Sequence, residues 1–103
     1  MHAFLTHMRA KPGKRDEVLR LTTEMLEQTQ AEAGIPVYIF STAKDSPDDF
    51  YFYDLYESDA ARTAHESTEK FKQTMPALME VADFVGVTVL EPYGPMKITP
   101  PGR

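Results

Sequence analysis

The chain has 103 residues, with 11 Lys and Arg against 16 Asp and Glu, for a formal charge of −5. That length suits one domain with a single core, and the acidic balance argues against nucleic acid and membrane surfaces as partners. Cysteine and tryptophan are absent, as is asparagine, so disulfides, thiolate metal sites and a Cys nucleophile are excluded.

The first nine residues lack an uninterrupted apolar stretch, so no secretory leader is expected there, and a cytoplasmic location is the expectation. The longest apolar run, Phe84 to Leu90, is far too short to cross a bilayer as a helix.

Residues 3–10 read as a strand ended by the turn signal Lys11-Pro12-Gly13. From Lys14 to Ala33 the period changes. Val18, Leu21, Met25 and Thr29 recur at helical spacing, widened by Leu19, Leu26 and Ala33, with Gly34 as the expected stop. Asp16 and Glu17 sit in the first turn, where the helix dipole favours anions.

Val37-Tyr38-Ile39-Phe40 is β-branched and aromatic, hence a strand. A polar turn over 43–49 leads to a second strand, 50–56, and the two predict a hairpin. Ser58 is the expected cap of a helix whose inward positions are Ala61, Ala64, His65, Thr68, Phe71 and Met75, kinked or divided at Pro76. Residues 84–91 make the last strand.

The order β-α-β-β-α-β is that of the α+β, ferredoxin-like arrangement, an antiparallel sheet with both helices on one face. This assigns residues 1–91 to one domain. Residues 92–103 hold four of the eight prolines and read as an extended arm or tail. Strand 50–56 is apolar or aromatic on both faces, and a sheet covered on one side only should be polar on the other. A homodimer through the second face is therefore expected. The alternative is that amphipathic tyrosines simply meet water.

His65, on an apolar stripe, must be paired or face a cavity. Asp54 shares a strand face with Phe50, Phe52 and Tyr56, and an acid among aromatics needs a partner. Alternation therefore predicts that Asp54, Tyr56 and His65 converge, with Asp54 orienting the imidazole for proton transfer or tying strand to helix. His2 and His7 lack further ligands at metal spacing, so no metal is expected. No phosphate loop or nucleophile elbow is present, so no nucleotide cofactor or serine hydrolase is expected. The six methionines, Met25, Met75 and Met79 among them, read as core filler.

Several segments together resemble the antibiotic biosynthesis monooxygenase family. They are Lys11-Pro12-Gly13-Lys14 opening a helix, Gly34-Ile35-Pro36-Val37-Tyr38, the run Phe50 to Ser58, and Ala61, His65, Thr68 and Phe71 in order. The resemblance implies a dimeric α+β barrel with a pocket between sheet and helices. It implies chemistry needing no cofactor: oxidation of a small quinol-like aromatic by O2, with His65 and Asp54 catalytic and Tyr56, Tyr38, Phe52 and Phe71 binding substrate. An isomerase of a small carbonyl compound and a non-catalytic ligand-binding domain are the alternatives, with Arg62 or Lys70 expected to hold a phosphorylated substrate. The family commonly has Glu at the position of Asp54, and its anthrone and haem oxygenases use an Asn and a Trp that this chain lacks.

Overall fold

The computed structural model describes residues 1–98. The elements are β1 (His2–Ala10), α1 (Arg15–Thr29), β2 (Val37–Ala43), β3 (Ser46–Tyr56), α2 (Asp59–Glu66), α3 (Glu69–Val81) and β4 (Ala82–Leu90). All pairings are antiparallel and the sheet order is β2-β3-β1-β4. This is the ferredoxin-like α+β fold, with the second helical segment split in two.

The turn before α1 depends on Gly13, whose φ of 75° lies where a side chain is disfavoured. Val18, Leu21, Thr22, Met25 and Thr29 then form the buried stripe of α1. The two threonines are tolerated inside because each hydroxyl donates to a carbonyl one turn back, Val18 and Met25, at 2.8 Å. The helix ends at Thr29, four residues short of the expected last residue, Ala33. Gly34 serves a different purpose: a Cβ there would stand 2.5 Å from the Ala61 Cβ, so the loop after α1 approaches α2 only because the residue is glycine.

The hairpin strands are longer than their apolar runs, reaching Ala43 and Ser46. Backbone pairing there no longer depends on side-chain hydrophobicity. The break in the second helical segment falls at Ser67-Thr68 instead of Pro76, which lies inside α3. Thr68 leaves the helical conformation, and its hydroxyl accepts from the Phe71 amide, capping α3.

Met8, Ala10, Phe50 and Phe52 from the sheet pack with Val18, Leu21 and Leu78 from the helices, forming the core between the two layers. The expected tail covers residues 92–103; residues 91–98 carry no helix or strand, and 99–103 lie outside the described residues. No helix among the described residues is long and apolar enough to cross a membrane.

Candidate functional site

The covered face of the sheet opens into a cavity of about 270 Å³ between β-strands and helices. Its walls are mainly aromatic and aliphatic, with Phe4, Phe40, Phe52 and Phe71 among them, and its ionisable groups come from β2, β3 and α2. Met8, Met25 and Met75 line it as well, so these methionines shape a binding space and do more than fill the core. Met79 does neither, being 45% exposed.

His65 is the one buried residue of α2, at 1% exposure, whereas Ala64 faces outward. Its Nδ1 lies 3.0 Å from both carboxylate oxygens of Glu32, and its Nε2 lies 3.3 Å from the Tyr38 hydroxyl. A carboxylate only accepts, so Nδ1 carries the proton and donates it to Glu32. In the neutral imidazole, the Nε2 lone pair then accepts from Tyr38. The rings of Tyr38, Tyr56 and Phe71 surround the imidazole at 5.3, 5.9 and 5.2 Å between centroids.

Asp54 is where alternation places it, on the cavity face beside Phe52 and Tyr56, but its partner differs from the expected one. The Tyr56 hydroxyl donates to Asp54 Oδ2 at 2.7 Å, and the carboxylate on His65 belongs to Glu32. Strand register gives the reason. Asp54 lies directly opposite Phe4 on one side and Tyr38 on the other, so the Tyr38 side chain stands beside it and reaches His65 in its place. Burial raises the Asp54 carboxyl above its ordinary value, against the opposing pull of Tyr56 and His65. Burial, then the Asp54 charge, also pushes both tyrosine hydroxyls upward, so each rests protonated.

Glu32 is the residue that sequence reasoning missed. It lies beyond the end of α1, one of 16 acids, with no periodicity to single it out. The available signal was Gly34: only a close approach of this loop to α2 explains glycine there, and that approach carries Glu32 to His65. The Gly34 carbonyl, accepting from the Glu57 amide at 3.0 Å, fixes the same loop to the end of β3.

Of the two cations considered for a phosphorylated substrate, Lys70 points away and donates to Glu24 at 2.6 Å. Arg62 lines the cavity, with its guanidinium 4.5 Å from the Phe4 ring centroid and 3.3 Å from Glu66. Among the described residues, no group of three or more His, Asp or Glu is arranged to hold a metal ion.

The family model described as antibiotic biosynthesis monooxygenase matches residues 1–77. The chain belongs to that family. Solved structures agree in fold. An antibiotic biosynthesis monooxygenase is 24% identical, with 91% of this chain and 100% of the other covered at a TM-score of 0.82. The Mycobacterium tuberculosis protein Rv0793 is 21% identical over 93% of this chain and 98% of its own, with a TM-score of 0.82. A conserved protein from Methanosarcina mazei Go1 is 20% identical over 85% and 88%, with a TM-score of 0.79. No curated protein matches the chain. Within the family frame, His65, Tyr38, Tyr56, Phe52 and Phe71 all face the one cavity, as does Asp54.

Proposed function

We propose that the protein is a monooxygenase that oxidises a small quinol-like aromatic with O2 and without a cofactor. The observation that carries this reading is an aromatic-walled cavity whose polar end holds a buried histidine gripped by a carboxylate. A dry cavity of ~150 Å³ suffices for benzene, so a cavity of about 270 Å³ suits a compound of one or two rings.

In this reading a substrate hydroxyl lies at the polar end and its proton ends on His65, whose imidazolium the Glu32 carboxylate stabilises. The electron-rich anion then reacts with O2. One oxygen atom enters the substrate, and the other leaves as water with two substrate hydrogens, so the substrate supplies the electrons. The isomerase alternative with a phosphorylated substrate is less favoured, because the one cation among the described lining residues, Arg62, already has Glu66 as partner.

Oxygen uptake with a panel of quinols and anthrones tests the reading. Wild type is expected to consume O2, and His65→Ala to lose about 10²–10⁴ of the rate. Absence of uptake by wild type, or undiminished uptake by the variant, overturns it. Conversion under anaerobic conditions would favour the isomerase.

The same proposal includes a homodimer through the helix-free face of the sheet. Leu5 and Ile39 are 37% and 54% exposed there, with Tyr51 and Tyr53 half-buried between them. Leu5 and Ile39 both pair with Tyr53, and an exposed apolar patch across three strands supports an interface. Sedimentation should report twice the 11.7 kDa chain mass for wild type, and the chain mass itself for Ile39→Lys. A monomeric wild type rejects the dimer.

A further inference from the structure

We propose that Tyr38 is the residue that exchanges the proton with the substrate, and that His65, held by Glu32, acts only through it. This rests on the reading above that the cavity takes a hydroxylated aromatic.

Exposure and hydrogen-bond geometry carry the inference. At 1% exposure, His65 offers the cavity ring surface but no free nitrogen, because Nδ1 is taken by Glu32 and Nε2 faces the Tyr38 hydroxyl. A substrate hydroxyl cannot reach either nitrogen without displacing one of these partners. Tyr38 occupies the intervening position: it is half-buried, lines the cavity, and its hydroxyl is 3.3 Å from Nε2. That separation is long for a resting hydrogen bond, as expected of a catalytic contact that tightens when substrate is bound.

The proton inventory supports the same direction. A neutral imidazole with its proton on Nδ1 accepts from the Tyr38 hydroxyl, which leaves the phenol oxygen a lone pair for a donor in the cavity. Burial keeps Tyr38 protonated at rest, so it has a proton to pass on. Tyr56 is less suited. It is 3% exposed, and its hydroxyl proton is directed to Asp54.

The step balances without another reactant. The substrate O–H bond breaks as a new O–H bond forms on Tyr38, while the original Tyr38 proton bonds to His65 Nε2. The products are a substrate oxyanion, a neutral Tyr38, and an imidazolium beside the Glu32 carboxylate. Asp54, Glu66 and Arg62 also line this part of the cavity. Glu32 is a positioning residue, fixing the imidazole so that Nε2 faces Tyr38.

The test uses two probes, nitrobenzene for binding and 4-nitrophenol for proton transfer, the latter read from its phenolate absorbance. In wild type, bound 4-nitrophenol should be about tenfold more ionised than free at the same pH, equivalent to one pKa unit. Tyr38→Phe should abolish that gain while leaving nitrobenzene affinity within about threefold, since the ring is retained. Glu32→Gln should move the ionisation midpoint of the bound phenol to higher pH, with nitrobenzene affinity kept and Glu32→Asp restoring part of the gain. Ionisation by Tyr38→Phe equal to wild type overturns the relay, as does wild type that binds 4-nitrophenol without ionising it. Failure to bind nitrobenzene overturns the aromatic cavity and the relay with it. Failure of oxygen uptake alone overturns only the oxygenase reading.

Discussion

Two histidine–carboxylate pairs lie on opposite faces of one sheet. On the covered face, His65 and Glu32 are 1% and 20% exposed, and His65 lines a cavity with both imidazole nitrogens in use. On the open face, His7 and Asp49 are 22% and 12% exposed; there His7 Nε2 donates to Asp49 at 2.8 Å and the ring stacks on Tyr51 at 4.3 Å. Asp49 also accepts from the Ser46 hydroxyl and from Arg9 Nε, so both of its oxygens are engaged. The chemical pair is the same in both places. What distinguishes a candidate active group from a structural tie is the third neighbour: a tyrosine facing an apolar cavity in one case, an arginine and a hairpin serine in the other.

The largest expected contrast is between histidines. His65→Gln should lower quinol-dependent oxygen uptake about 100-fold or more, whereas His7→Gln should retain the wild-type rate and lose only melting temperature. Equal losses of rate in both variants would erase the distinction.

Next is the loop that delivers Glu32. Gly34→Ala places a Cβ 2.5 Å from the Ala61 Cβ, so loop and helix must separate. Overpacking of this kind costs about 1–3 kcal/mol, to be read from thermal or urea unfolding. The binding of aromatic probes should weaken with it. An unchanged melting temperature would show that α2 yields freely and that Glu32 is not held by this approach.

The smallest effects concern two carboxylates on β3 whose shifts have opposite signs. The Ser46 hydroxyl, then His7, with Arg9 adding to them, holds Asp49 down to about 2 from 3.8. Its contribution to stability is therefore present above pH ~3.8 and lost as pH falls towards 2. Asp49→Asn should melt below wild type at pH 7, with the gap closing through that window. Asp54 is raised by burial, so its contribution is present at low pH and lost as pH rises through its folded value. Asp54→Asn, which can still accept from Tyr56, should match wild type near pH 3 and equal or exceed it at pH 7. Melting curves at pH 3, 5 and 7 check both signs.

The strand faces and the placement of His65 were legible because they follow from period and polarity. The alternation of Phe50, Phe52, Asp54 and Tyr56 puts four side chains on the covered face, and the fold keeps them there. The partner of His65 was not legible, because it depends on which loop comes close in space. Period 2 also fails in β4. His7 pairs with Gly86 but Met8 with Phe84, so Val85 is an extra residue, and Phe84 and Val87 both line the cavity despite being three apart. Nothing in the local pattern marks that bulge except Gly86.

The bulge also bears on strand pairing at the sheet edge. Phe84-Val85-Gly86-Val87-Thr88-Val89-Leu90 is uncharged, proline-free and rich in β-branched residues, the composition of an amyloid-forming segment, and it forms an edge of the sheet. Val85, Val87 and Val89 are 47%, 50% and 61% exposed. An edge with an inserted residue twists away from the straight hydrogen-bond ladder that an incoming strand requires. The same irregularity that turns two apolar side chains into the cavity therefore protects an exposed apolar edge from pairing with another molecule's strand.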